Sequence, residues 1–184
     1  MYIESIQYHC GLIENSKKIQ YMSAYNEPNG LNDVAKFHDT FSLPIEKKPI
    51  IPAPKRCELR VSLLQEELNE LKEAIEDNDL VEVADALCDI QYVLSGAILE
   101  FGLAADFKTL FDEVQRSNMS KTCKTMEEAI ATQKHYLETK GTHSFIEEKE
   151  GEFLVYREGD KKVLKSVNYS PADLKSIVIQ STQK

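Results

Sequence analysis

Residues 66–89 read EELNELKEAIEDNDLVEVADALCD. Acidic residues crowd this stretch, and Lys72 is its only base. Leucines and alanines recur between the acids at helical spacing, interrupted only by EDND at 76–79, which predicts two helices joined by a tight turn. The first runs from about residue 55 to 76, and the second from about 79 to 101, where Gly102 stops it. Two such helices fold back antiparallel. The direction in which the acids point then decides what the pair does.

With about 100° per residue measured from Leu59, the apolar residues of the first helix fill an arc of roughly 200°. Glu67 and Glu70 fall inside that arc, at about 80° and 20°, with Glu66 and Glu73 just off its edge. Arg60 lies in the same arc and is the expected partner of the two inward acids. On the second helix apolar residues surround nearly the whole circumference, which is the pattern of a buried helix. Its acids Glu82, Asp85, Asp89 and Glu100 share one stripe between about 140° and 200° from Leu80, together with Gly96.

Carboxylates brought within about 5 Å repel by on the order of 3 kcal/mol per pair at an effective dielectric of about 20, and desolvation adds to that. The second helix contains no base, and those of the first from residue 56 onward are Arg56, Arg60 and Lys72. A bound cation would relieve the repulsion. An all-oxygen donor set selects a hard ion, Mg²⁺ or Mn²⁺. A single ExxE on a helix is an ordinary solvated pattern. ExxE followed by ExxD on consecutive helices, both in apolar surroundings, points to a metal. A di-iron bundle would need an ExxH repeat, and these helices hold no histidine. An EF-hand starting at Asp77 would need Gly and Glu where Glu82 and Cys88 stand.

The remaining chain fits one domain of 184 residues with appendages. Residues 1–30 are the least legible and end in a turn signal, NEPNG. A short helix fits LNDVAKFHDTF, with Val34, Phe37, His38 and Phe41 on one face and His38 read as a packed residue. SLPIEKKPIIPAP carries four prolines and must run extended over the surface. A third long helix fits residues 104–120. Thr125 and Glu128 form a capping box that launches another, ending near Gly141. HSFIEEKEGEFLVYREGDKKVLK alternates about EGE and EGD turns and predicts an antiparallel hairpin or three-stranded sheet. SPAD at 170–173 predicts a last short helix capped by Ser170, with Pro171 in its first turn.

Twenty-two basic against 31 acidic residues leave a net charge of −9. The chain is expected to repel nucleic acid and anionic membrane, and to bind phosphate-rich ligands through a metal ion. Cysteines 10, 57, 88 and 123 form no CxxC pair, and Cys88 reads as a buried thiol. Neither a signal peptide nor a membrane span is visible, so a cytoplasmic location is expected.

EELNE at 66–70 followed by EVAD at 82–85 resembles the EExxE and ExxD pair of the MazG-like all-α nucleoside triphosphate pyrophosphohydrolases, which include the phosphoribosyl-ATP pyrophosphohydrolases. FHDTF (37–41), RSNMSK (116–121) and KVLKSVNYSPADL (162–174) are similar, in the same order, to further motifs of a Cof-like bacterial branch. The resemblance covers about residues 32–178. It implies an all-α antiparallel helical bundle, here with a small C-terminal β element, and a division into an extension (1–30), a catalytic core (31–122) and an appended C-terminal part (123–184). It implies an Mg²⁺-dependent enzyme, with Mn²⁺ as a substitute, that hydrolyses an NTP or dNTP to the monophosphate and pyrophosphate in nucleotide-pool cleaning. Glu67, Glu70, Glu82 and Asp85 would hold the metal, while Glu66 and Glu67 would serve catalysis, Glu66 orienting or deprotonating water or helping to hold a further ion. Asn118, Lys121, Lys162, Lys165, Asn168 and Tyr169 would contact substrate, and Asp89 would steady a ligand. A homodimer or larger assembly is implied, which agrees with the all-round apolar second helix. Two other readings compete: a non-catalytic nucleotide-binding or oligomerising module that keeps the metal site, and a helical interaction protein with solvated acids. The stretch between Lys121 and Lys162 is longer than the compact pattern of the family, and residues 1–30 have no counterpart in it.

Overall fold

A computed structural model describes residues 25–182, so Cys10 and most of the expected N-terminal extension lie outside the described residues. Within them the chain forms helices α1 (Gly30–Thr40), α2 (Pro54–Glu76), α3 (Leu80–Glu100), α4 (Phe107–Met119) and α5 (Met126–Lys140). Strands β1 (Ser144–Lys149) and β2 (Glu152–Arg157) and helix α6 (Leu174–Thr182) follow. The fold is mainly helical, with one two-stranded antiparallel sheet. None of the described helices is long and apolar enough to cross a membrane.

EDND makes the α2–α3 turn by a local mechanism. Asn78 takes the left-handed conformation (φ 55°) that ends α2. Asp79 then caps α3, its carboxylate accepting from the backbone N–H of Val81 at 2.9 Å and of Glu82 at 3.2 Å. α1 packs across α3, and Phe37 meets Tyr92 edge-on with ring centroids 5.6 Å apart. The proline-rich segment returns along the end of α3, where the N–H groups of Glu46 and Ile50 donate to the carbonyls of Leu99 and Phe101. Gly102 (φ 66°) permits this approach, because a Cβ there would lie 1.9 Å from the Lys48 carbonyl oxygen.

The C-terminal part has its own core of Cys123, Ala129, Val155 and Leu164, flanked by Tyr136, Ile146 and Phe153. Thr125 caps α5 as expected, accepting from the Glu128 N–H, while Glu128 accepts from the Lys124 N–H. Gly141 (φ 59°) ends the helix. The EGE turn is a two-residue hairpin turn with Glu150 and Gly151 both at positive φ. A third strand does not form, since after the EGD turn only a single bridge joins Val163 to Tyr156. Asp173, not Ser170, caps α6, accepting from the Ser176 N–H at 3.2 Å. Ser170 is occupied elsewhere: its N–H donates to the Ser120 hydroxyl at 3.0 Å.

α1–α3 and α4–α6 are separate packing units. α4, α5, α6 and the hairpin pack among themselves and make at most a marginal touch with α1–α3. Among the described residues no hydrogen bond or ion pair joins the two sets of helices. The described residues do not cover α3 all round, in line with the expectation that one subunit is too small to do so. Leu80, Val81 and Leu87 are 79%, 75% and 53% exposed, and Cys88 is exposed rather than buried.

Candidate active site

α2 and α3 pack along their lengths and bring their acids into one field. Glu67 is the half-buried member, and its carboxyl is pushed above the ordinary glutamate range. Loss of solvent is the largest cause, followed by the negative charges of Glu70, Asp89, Glu66 and Asp85. Two of those charges come from each helix, so the hairpin does join the two acidic sets. Glu66, Glu70, Asp85 and Asp89 are exposed. Glu82 is exposed in the first turn of α3 and is not among the charges acting on Glu67. The side chains do not form a ready-made cage: among the described residues no three His, Cys, Asp or Glu groups converge closely enough to hold an ion. Like charges at this spacing spread their side chains apart. The donor set nonetheless suits a hard dication, since every group is a carboxylate oxygen and repulsion already disfavours ionised Glu67.

Arg60 does not serve these acids, contrary to expectation. It is buried and pairs with Glu100, which is also buried and shared with Arg56. Burial alone would raise the Glu100 carboxyl, but hydrogen bonds from Arg60 and Arg56 outweigh it and hold it below the ordinary range. Glu100 thus leaves the acidic stripe and becomes a structural anion. His38 completes the group as a packed residue. Its Nδ1 donates to the Pro44 carbonyl at 2.8 Å, and its Nε2 faces Nη2 of Arg60 at 3.4 Å. Gly96 leaves room for both, and sequence reasoning had placed it in the acidic stripe without assigning it a role.

The basic residues expected to meet substrate partly converge. Lys121 donates to the Asn118 side chain at 2.8 Å, and Lys165 lies over the Tyr169 ring, 4.1 Å from its centroid. The Tyr169 hydroxyl meets the Ser117 hydroxyl at 3.0 Å. That bond, helped by the nearby charges of Lys165 and Lys121, holds the phenol below its ordinary value. RSNMSK and NYSPADL are therefore packing mates. Arg116 donates to the Pro171 carbonyl, and Glu113 accepts from the Asp173 N–H at 2.8 Å. Asn168 turns its side chain toward Glu128, and Lys162 sits apart beside the EGD turn, its N–H on Asp160. The strap residues Glu113, Arg116, Ser117 and Ser120 were missed, although RSNMSK signalled three of them.

The phosphoribosyl-ATP pyrophosphohydrolase family profile matches residues 34–118, the span that holds most of α1, all of α2 and α3 and nearly all of α4. Residues 34–118 are a domain of that family, within the MazG-like superfamily. An uncharacterised protein of Acanthamoeba polyphaga mimivirus is 33% identical over 92 residues, which cover 48% of this chain and 37% of that protein. The chain thus spans little more than a third of the length of this curated relative. The matched residues include every acid of α2 and α3 discussed above. Lys121, Lys165 and Tyr169 lie beyond them.

Proposed function

We propose that the protein is an Mg²⁺-dependent nucleoside triphosphate pyrophosphohydrolase, converting an NTP or dNTP to the monophosphate and pyrophosphate in the cytoplasm. The observation that carries this reading is Glu67, half-buried between two helices with its proton affinity raised by acids from both, inside a domain whose family points to nucleotide pyrophosphohydrolysis. Glu67, Glu70, Glu82 and Asp85 would hold the ion, which when bound neutralises the triphosphate and makes an attacking water more acidic. Glu66, next to Glu67 and exposed, would orient or deprotonate that water. Asp89, whose charge helps to raise the Glu67 carboxyl, would steady a metal-holding carboxylate. Lys121, Lys165, Asn118 and the Tyr169 hydroxyl would meet substrate oxygens; Lys162 and Asn168 would need to turn from their present partners to join them. A homodimer is the proposed assembly, because Leu68 and Ile75 of α2 and Leu80, Val81 and Leu87 of α3 stay open among the described residues.

The test is product identification over a panel of NTPs and dNTPs with Mg²⁺ or Mn²⁺. The monophosphate and pyrophosphate should appear in equal amounts with at least one substrate. Orthophosphate with a diphosphate would show a different reaction. Nucleotide binding without turnover would favour the non-catalytic alternative.

A further inference from the structure

α5 lies outside the matched residues and carries none of the groups proposed to meet substrate. One of its faces nonetheless presents Glu128, Thr132 and Tyr136, each four residues from the next, to the strap at 165–168. The Tyr136 hydroxyl accepts the Lys165 N–H at 3.2 Å, and Thr132 Oγ1 accepts the Val167 N–H at 3.1 Å. The Glu128 carboxylate takes the Ser166 hydroxyl and the Asn168 side chain, and Ser166 Oγ in turn accepts the Asn168 N–H at 2.9 Å. The Ser166 N–H donates to the Lys121 carbonyl at 3.2 Å, and the Tyr169 N–H to the Ser166 carbonyl at 2.9 Å. Every backbone N–H from residue 165 to 169 is therefore held. Thr132 is fully buried, where a hydroxyl is unfavourable unless hydrogen-bonded. It accepts from the strap and donates to the Glu128 carbonyl at 2.9 Å. Leu164 and Ser166 are buried while Lys165 and Val167 are exposed, the alternation of an extended segment. Lys165 thus projects outward over the Tyr169 ring, and the charge of Lys121 acts on the same phenol. Neither lysine forms an ion pair with a described carboxylate.

We infer that α5 is a positioning element: Thr132 and Tyr136, with Glu128, clamp the backbone of residues 165–168 and so fix where Lys165 stands for a substrate phosphate. The inference rests on the reading above, in which Lys121, Lys165 and Tyr169 meet substrate oxygens. A lysine on a loose strap must order its backbone as well as its side chain when it grips an anion. The clamp orders the backbone before the substrate arrives, which strengthens binding. The stretch between Lys121 and Lys162 that exceeds the compact family pattern then acts on substrate affinity without touching substrate.

The experiment measures KM in turnover and, on the same full-length chains with Mg²⁺, the Kd of the α,β-methylene analogue of the tightest-binding nucleotide. Thr132→Val/Tyr136→Phe should raise both by roughly 10-fold. Its kcat should stay within about twofold of wild type, because the lysine grips phosphate before and during reaction alike. Thr132→Ser keeps the acceptor and should bind as wild type does. Gly141→Ala strains the end of the same helix (φ 59°) away from the strap, so it should lower the melting temperature and leave both constants unchanged. Lys165→Ala should weaken binding by itself. Added to the double variant it should give less than the product of the two effects, since both act through one lysine. If the double variant does not fold, Tyr136→Phe alone, at a half-buried ring, carries the same comparisons with a rise of about threefold. Unchanged binding in the clamp variants, an equal loss in Gly141→Ala, or effects that multiply in full would overturn the inference. A Lys165→Ala chain that binds like wild type would remove Lys165 from the substrate site and the clamp's role with it. A wild type that binds the analogue but releases no pyrophosphate would sink the enzymatic reading alone, and the Kd values would still decide the clamp.

Discussion

Gly96 is a glycine because of what lies against it. A Cβ at this position would lie 2.7 Å from Nη1 of Arg60 and 3.1 Å from Nε2 of His38, and both side chains are buried. Neither can retreat without giving up its partner, Glu100 for Arg60 and the Pro44 carbonyl for His38. Gly96→Ala should therefore destabilise the fold by about 1–3 kcal/mol, read as a lower urea midpoint with an unchanged slope. The helical wheel placed Gly96 correctly but could not show this packing. A wheel gives direction and not depth, so Glu82 and Glu100 shared one stripe although 18 residues of helix set them about 27 Å apart. Near one end Glu100 meets Arg56 and Arg60 under the proline-rich segment. Toward the other, the carboxylates face solvent and one another. Charge sign alone made these two environments look alike.

Among the elements, α6 shows how a short helix is held by a carboxylate. Glu113 on α4 takes a two-pronged bond from Arg116 and a third from the Asp173 N–H at the start of α6. Arg116 and that N–H lower its carboxyl to about 2. Because the folded value lies below the unfolded one, the contribution of Glu113 is fully present above about 4.5 and is lost as pH falls toward about 2. Melting curves should fall over that window, with α6 amides losing hydrogen-exchange protection first. Glu113→Gln should be less stable at pH 7 and should show a weaker loss between pH 4.5 and 2. An equal acid loss in the variant would place the titration elsewhere. The long helices, their turn and the α5 caps were legible because each rests on local chemistry: periodicity, Asp79, Thr125 and Gly141. The cap of α6 was not. Ser170, Pro171 and Asp173 all suit a helix start, and the helix begins at Leu174 with the Ser176 N–H on the Asp173 carboxylate, while the Ser170 N–H goes to the distant Ser120 hydroxyl. The third strand failed for a similar reason, as alternation predicts an extended segment but not whether a partner edge continues beyond one bridge.

For the whole molecule, the apolar circumference of α3 was legible, and with it the expectation that one subunit is too small to cover it. The pattern demands cover, but the described residues of one chain do not provide it, and Leu80, Val81 and Leu87 remain open. The same holds for the acids. Sequence pattern identified the helices that carry them, and the fold brings the charges of Glu66, Glu70, Asp85 and Asp89 to bear on Glu67. Ligand-ready convergence does not appear among the described residues, since mutual repulsion works against it. What the pyrophosphohydrolase domain contributes is thus a hairpin loaded with negative oxygens and open along one face. The most direct measurement is pyrophosphate release by Glu67→Gln and Asp85→Asn beside the wild type, at saturating Mg²⁺ on the best substrate of the panel. Each variant should fall by roughly 100-fold or more, while its metal-free melting temperature stays the same or rises, because each removes one repelling charge. Full turnover in either variant would contradict the account.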